Sequence, residues 1–109
     1  MISLIKNNAD KIIEACKKHH VKSLYLFGSA ARETDFNEKS DIDFLVNFEP
    51  LPLITDEDVF RKVSNVEELS NNLESITKRK IDLIQEGNIR NRFLRYFINK
   101  EKKLLYGLS

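Results

Sequence analysis

The pattern of apolar and polar residues along the chain predicts four helices and three strands. Apolar residues recur at helical spacing near the N-terminus, while Val21–Phe27 and Asp41–Phe48 are short runs of the kind that form strands. The predicted elements, in order, are a helix over 3–19, a strand over 21–27, a short helix over 30–33, a strand over 41–48, a helix over 55–76, a strand over 80–85 and a helix over 88–105. This order indicates an α/β fold, in which helices pack against a small mixed sheet.

Residue types at the predicted boundaries add detail. Thr55 precedes three consecutive acids and predicts a helix N-cap, and Asn88 is predicted to cap the last helix. Pro50 and Pro52 exclude regular strand pairing, so the connection around them is expected to be irregular. Two apolar stripes are expected to face the core. The first comprises Val59, Phe60, Val63, Val66, Leu69, Leu73 and Ile76, and the second comprises Ile89, Phe93, Phe97, Leu104 and Leu105.

The composition is that of one globular domain, expected to span residues 1–109. The chain is 41% apolar and 32% charged, with a formal charge of +1, so we do not expect direct nucleic-acid binding. The single Cys16 excludes an internal disulfide and fits a reducing compartment. No apolar run approaches the roughly 20 residues that span a bilayer, so we expect a cytoplasmic protein without a membrane partner.

Charge is distributed unevenly along the chain. Acids concentrate over 33–58 and bases over 78–103. Two solvated faces, or a basic surface that docks an acidic protein, RNA or triphosphate, explain this pattern equally well. His19 and His20 close the first predicted helix. We interpret them as cations near a helix C-terminus rather than as metal ligands, because adjacent residues do not share a helix face.

The candidate chemistry begins with two carboxylates on one strand. Asp41 and Asp43 are two residues apart, so their side chains should project from one face. Closely spaced carboxylates repel each other unless a cation lies between them, and hard oxygen ligands suit Mg²⁺. Gly28 and Ser29 follow the first strand, where backbone N–H groups can bind phosphate. These residues together predict a site for a metal-bound nucleoside triphosphate.

Asp82 is a third candidate ligand. It lies in an otherwise apolar strand, where an ionised carboxylate would be costly to bury unless something compensated its charge. A salt bridge to Lys80 or an edge-strand position would satisfy this requirement without a metal. The presence of two more strand-borne acids and a Gly-Ser loop favours the metal interpretation.

The motifs resemble those of a known superfamily. Leu26-Phe27-Gly28-Ser29-Ala30-Ala31-Arg32, followed by Ser40-Asp41-Ile42-Asp43, resembles the signature of the polymerase-beta-like nucleotidyltransferases. The short chain and the segment 92–107 resemble the minimal nucleotidyltransferases, which include the MntA-type antitoxins. The resemblance covers nearly the whole chain and implies the nucleotidyltransferase fold.

The resemblance also implies a mechanism. Asp41 and Asp43 would hold two Mg²⁺ ions, with Mn²⁺ as an alternative, and Asp82 would complete the second metal site and could accept a proton. Gly28 and Ser29 would bind the triphosphate of ATP. Two further nucleotide-binding candidates have ordinary explanations too: Arg32 as a solvated helix-end residue and Ser40 as a turn hydroxyl. The implied reaction transfers AMP to a hydroxyl, commonly a tyrosine of a HEPN-domain toxin, which the nucleotidyltransferase neutralises.

Two alternatives stay open at this point. Glu33 stands where some family members have glycine, and its charge could weaken nucleotide binding, leaving a module that inhibits its partner by occlusion. A small-molecule nucleotidyltransferase is the other alternative, although such chains usually carry an additional helical domain. The sequence leaves the NTP base, the acceptor, and a monomeric or homo-oligomeric state undetermined.

Overall fold

The computed structural model describes residues 1–107. It contains five α-helices and four β-strands, with a 3-10 turn at Glu86–Asn88. The helices are α1 (Ser3–Asn7), α2 (Ala9–Lys18), α3 (Ser29–Arg32), α4 (Asp56–Thr77) and α5 (Arg92–Glu101). The strands are β1 (Val21–Phe27), β2 (Ile42–Phe48), β3 (Ile81–Gln85) and β4 (Lys103–Gly107). This confirms the predicted fold class, a mixed sheet with helices packed against it.

The sheet has the strand order β3-β2-β1-β4. β1 is antiparallel to both β2 and β4, whereas β2 and β3 are parallel and pair in register from Ile42 with Ile81 to Val46 with Gln85. A parallel connection needs a crossover, and α4 supplies it between β2 and β3. The strands that carry the acidic residues are therefore neighbours.

Both faces of the sheet are covered by apolar side chains. On one face, Ile42, Phe44 and Val46 of β2 are buried with side chains from α2 and α4. On the other face, Leu45 is buried with Ile98 of α5. Alternate residues of a strand point to opposite faces, so the alternation predicted for β2 is confirmed.

The predicted first helix is divided in two at Asn8. The side chain of Asn8 donates a hydrogen bond to the carbonyl oxygen of Leu4 at 2.7 Å, and the φ and ψ of Asn8 are −110° and 12°. Asparagine side chains compete with the helix ladder for backbone partners, which accounts for the break. The apolar spacing continues across it, so periodicity alone did not locate the division.

The end of the chain differs most from the sequence prediction. The prediction of a helix over 88–105 with an Asn88 cap was wrong, because α5 is capped by Asn91, whose side chain accepts from the N–H groups of Phe93 and Leu94. The following segment is a strand, β4, that pairs with β1. A short apolar run fits the helical period as well as the strand period. Here the free edge of β1 is available for pairing, so the segment forms a strand.

The two apolar stripes are only partly buried. Thr55 caps α4 in a capping box with Asp58, as predicted, and Leu69 and Leu73 are fully buried. Leu69 and Leu73 are the buried members of the α4 stripe, so the prediction that the whole stripe is core was wrong. The exposed members of the two stripes are Val59, Phe60, Val63, Phe93, Phe97 and Leu104.

Candidate active site

Two neighbouring strands bring the predicted acidic residues together. Asp41 immediately precedes β2, Asp43 is the second residue of β2, and Asp82 is the second residue of β3. Because β2 and β3 pair in parallel register, Asp43 and Asp82 are direct partners across the ladder. Directly paired residues project from the same face of a sheet, so their carboxyls are adjacent.

The surroundings of Asp43 disfavour its ionised form. Burial, then the negative charges of Asp82 and Asp41 and a hydrogen bond with Asp82, raise the pKa of Asp43 to about 6, while the charge of Arg32 opposes this shift. Two carboxyls can hydrogen-bond to each other only if one of them is protonated. The pair thus retains a proton under mildly acidic conditions, and a divalent cation would displace it.

Asp82 itself is exposed, so the edge-strand alternative is the correct one and its charge does not have to be buried. β3 is an edge strand, and one face of it reaches solvent at this residue. Water therefore compensates the carboxylate, and within residues 1–107 Asp82 forms no salt bridge, to Lys80 or to any other base. Hydropathy of the strand could not reveal this, because it does not show which strand lies at the edge.

Gly28 lies against this carboxylate pair. It follows β1 with φ 70° and ψ −154°, a conformation that favours glycine. A Cβ atom at this position would lie 2.1 Å from Oδ2 of Asp43. The absence of a side chain at residue 28 therefore lets the backbone approach the acidic pair, and the loop and the carboxylates form one site.

The N–H of Gly28 and the guanidinium of Arg32 share a partner. Gly28 N–H donates to Oε1 of Glu101 at 3.0 Å, and Nη1 of Arg32 donates to Oε2 of the same carboxylate at 2.9 Å. Arg32 also binds both carboxylate oxygens of Asp35, at 3.2 and 2.8 Å. The hydrogen bonds that Arg32 donates, first to Asp35 and then to Glu101, hold its pKa above the usual value. Arg32 is therefore a fixed cation beside the loop.

The two serines of the predicted site have different surroundings. Ser29 opens α3 and is half-buried next to Gly28. Ser40 lies in the loop before Asp41, where its Oγ accepts from the N–H of Asn37 at 3.0 Å. The Ser40 hydroxyl thus closes a turn, which is the ordinary role that the sequence also allowed.

Glu33 has the backbone conformation that explains a glycine in related motifs. Its φ is 69°, in the left-handed region, at the C-cap of α3. Its carboxylate accepts from Nζ of Lys103 at 3.1 Å and lies 3.2 Å from the N-terminal amine. These partners lower the pKa of Glu33, so its negative charge is balanced by neighbouring cations.

Comparison with known proteins identifies the fold and family. The sequence profile of the family described as "Polymerase beta, Nucleotidyltransferase" matches residues 10–109. The chain belongs to this family. It is a nucleotidyltransferase, and its resemblance to the minimal members, inferred from the short chain and the segment 92–107, is confirmed.

Among curated relatives, the "Putative protein adenylyltransferase MJ1379" of Methanocaldococcus jannaschii is 39% identical over 89 residues, which are 82% of this chain and 79% of that protein. A solved "putative minimal nucleotidyltransferase" has a TM-score of 0.71 and 25% identity over 94% of this chain and 95% of its own. A chain in the solved structure of a tri-AMPylated Shewanella oneidensis HEPN toxin in complex with MNT antitoxin has a TM-score of 0.62 and 22% identity. The match covers 94% of this chain and 72% of the chain in that structure.

Sequence reasoning missed two residues that shape the site of this nucleotidyltransferase. Glu101 lies at the end of α5, where an acid in a basic segment suggested only solvation. Arg79 follows α4, and its guanidinium binds the carbonyl oxygens of Asn37 and Ser40 and lies 4.7 Å from the ring centroid of Phe36. Arg79 thereby holds the loop that leads to Asp41. Both contacts join segments far apart in sequence, which no local motif could indicate.

The described part of the nucleotidyltransferase contains neither a preformed metal cluster nor a helix that could span a membrane. Within residues 1–107, no group of three His, Cys, Asp or Glu side chains is already arranged to hold a metal ion. None of the helices in that range combines the length and the apolar character needed to cross a bilayer. The acidic residues therefore form a pair with a neighbour, Asp41, rather than a completed metal cage.

Proposed function

We propose that this nucleotidyltransferase transfers AMP from ATP to a hydroxyl group of a partner protein. The observation that carries the proposal is the direct pairing of Asp43 with Asp82, beside a glycine whose missing side chain opens the loop to them. This arrangement supports a cation site next to a backbone that can bind phosphate. A nucleoside triphosphate needs both, because its negative charge must be balanced while its α-phosphorus is held in place.

The acidic residues fit a divalent metal. Carboxylate oxygens are hard ligands of the kind that Mg²⁺ and Mn²⁺ prefer. Burial, and then repulsion by Asp82 and Asp41, raise the pKa of Asp43, and a cation would relieve the repulsion. Asp41, Asp43 and Asp82 are therefore the proposed ligands, for two Mg²⁺ ions. When bound, the ions would balance triphosphate charge and lower the pKa of the attacking hydroxyl.

The residues around Gly28 would position the nucleotide. The backbone N–H of Gly28 is a donor for a phosphate oxygen, and the half-buried Ser29 lies next to it. Arg32 offers a permanently charged guanidinium beside them, with a geometry that suits phosphate. Ser40 would act at a distance, because its hydroxyl closes the turn that leads into Asp41.

The reaction would be an in-line displacement at the α-phosphorus of ATP. The acceptor oxygen forms a bond to this phosphorus, the bond to the bridging oxygen of the β-phosphate breaks, and pyrophosphate leaves. The proton of the acceptor hydroxyl passes to a base. Asp82 is the proposed base, since it is exposed on the same face as Asp43 and can reach both the acceptor and solvent.

The proposed acceptor is a tyrosine of a HEPN-domain toxin, with this protein acting as the antitoxin in the cytoplasm. The adenylyltransferase name of a 39% identical relative supports a protein acceptor, and the HEPN complex of a protein with the same fold supports this partner class. The α5 helix offers an exposed surface on which such a partner could dock. It exposes Phe93, Tyr96 and Phe97 among basic residues.

The test uses a HEPN-domain protein from the same genome as the partner. Its RNase activity is measured after incubation with the nucleotidyltransferase and Mg²⁺, with ATP or with an ATP analogue that has a methylene group between the α- and β-phosphorus. Neutralisation that requires ATP and persists after the two proteins are separated supports AMP transfer. Equal neutralisation without ATP, lost on separation, would replace it with inhibition by occlusion.

A further inference from the structure

The carboxylate of Glu101 engages both donors that the proposed triphosphate site would use. One oxygen accepts from the Gly28 N–H at 3.0 Å and the other accepts from Arg32 at 2.9 Å. The Glu101 side chain is 24% exposed, so its charge is largely sheltered within these contacts. Each of these hydrogens can serve one acceptor well, and a phosphate oxygen would need the same position as the carboxylate.

The location of Glu101 on its own helix does not favour a negative charge. Glu101 is the last residue of α5, where the helix dipole favours cations and disfavours carboxylates. The next residue, Lys102, turns away to lie 4.4 Å from the ring centroid of Tyr25. The contacts with Gly28 and Arg32, which lie 73 and 69 residues away in sequence, are what hold the carboxylate in place.

We propose that Glu101 is a built-in competitor of the triphosphate, which must leave Gly28 and Arg32 before ATP can bind. This inference rests on the proposed function, because it assumes that ATP uses this loop. Displacing Glu101 removes a tie between the end of α5 and the loop after β1. ATP loading is therefore coupled to the position of α5, the helix whose exposed aromatic residues are the proposed docking surface.

The test measures binding of the methylene-bridged ATP analogue with Mg²⁺ by calorimetry. Glu101→Gln keeps the size of the side chain but offers a neutral oxygen and no acceptor for the second donor. We expect this variant to bind the analogue about tenfold more tightly. In the variant, the analogue does not have to break one charge-assisted hydrogen bond of residue 101 in order to bind, and the loss of one such bond corresponds to a change of about this size. Without ligand, the variant should melt at a lower temperature than the wild-type protein.

Glu33→Gln is the matched control. It removes one negative charge from the residue next to Arg32, but Glu33 binds Lys103 and none of the loop donors. We expect its affinity to stay within about twofold of wild type, a change that a screened surface charge would produce. Equal tightening in Glu33→Gln and Glu101→Gln would show a general charge effect and would overturn the competition model.

The wild-type protein provides an independent readout should Glu101→Gln not fold. The chain has three glycines, so the Gly28 amide is readily assigned in an NMR spectrum. The Gly28 amide and the Glu101 carboxyl carbon should shift together as the analogue is added. Binding with an unchanged Glu101 resonance, or weaker binding by Glu101→Gln, would overturn the competitor role while leaving the proposed function intact. Failure of the wild-type protein to bind any analogue would overturn both.

Discussion

Asp43 on β2 and Asp82 on β3 are direct partners across a parallel ladder, and after burial the negative charge of Asp82 is the main cause of the raised pKa of Asp43. Like charges in this position destabilise a sheet, so stability favours their separation. The fold instead keeps them together, next to Gly28. Such a costly arrangement is expected where it serves a ligand, and it leads to predictions about stability, metal binding and chemistry.

Replacing Asp43 should stabilise the metal-free protein at neutral pH. The pKa of Asp43 is raised in the folded state to about 6, so its contribution to stability is fully present below the unfolded pKa of about 4 and is lost as the pH rises through 6. Asp43→Asn cannot ionise and avoids this loss. We expect it to gain about 1–2 kcal/mol over wild type at pH 7, after allowance for solvent screening, and little at pH 4, as measured by urea unfolding in EDTA. An advantage that is equal at the two pH values would contradict the assignment.

Metal ions should stabilise the wild-type protein and not a variant that lacks the carboxylates of Asp41 and Asp43. At ten times the dissociation constant, Mg²⁺ or Mn²⁺ should add about 1.4 kcal/mol, which raises the melting temperature by roughly 6 °C or more. Asp41→Asn with Asp43→Asn should abolish this rise. The effect in wild type should weaken at about pH 5, where the proton on Asp43 competes with the metal.

The control for metal binding removes the same number of charges elsewhere. Glu14 and Glu74 are exposed helix residues and form no salt bridge within residues 1–107. Glu14→Gln with Glu74→Gln should retain the full metal response. If metal raises the melting temperature of the Asp41→Asn, Asp43→Asn variant as much as that of this control, the proposed ligands are ruled out.

Gly28 should be both a structural and a functional residue. A side chain at residue 28 should block the approach of the nucleotide to the loop. The positive φ, and the 2.1 Å that would separate a Cβ atom at this position from Oδ2 of Asp43, lead us to expect a stability loss as well, of about 1–3 kcal/mol for Gly28→Ala. Gly87→Ala is the control, because a Cβ atom there meets nothing within 4 Å. Thermal melts and ATP titrations of both variants check this, and a Gly28→Ala protein as stable as the control would refute the close approach.

The parts of the fold that follow local rules could be predicted from the sequence. β1 and the Thr55 cap lie where the apolar run and the capping residues indicate. Asp43 and Asp82 were also expected to lie close together. Asp41 and Asp43, two residues apart, share one face of a strand, and Asp82 lies on another strand that can bring it to the same place. These elements depend on residues close together in sequence or on simple alternation.

The parts that depend on distant segments could not be predicted. β4 was assigned to a helix because Leu104 and Leu105 fit that period, and only pairing with β1 shows otherwise. The exposure of Asp82 depends on β3 being at the edge of the sheet. The role of Glu101 depends on a contact across 73 residues, which has no signature in local composition.

Asp82 is proposed to assist the transfer of AMP to a partner protein. The most direct measurement is the intact mass of the partner after incubation with Mg²⁺, ATP and each variant. Asp10→Asn, a change at an exposed residue of α2, serves as control. We expect the wild-type protein and Asp10→Asn to add AMP, and Asp82→Asn to bind the partner but to lose transfer by about 10²-fold or more. No added mass with wild type, or undiminished addition with Asp82→Asn, would contradict this account.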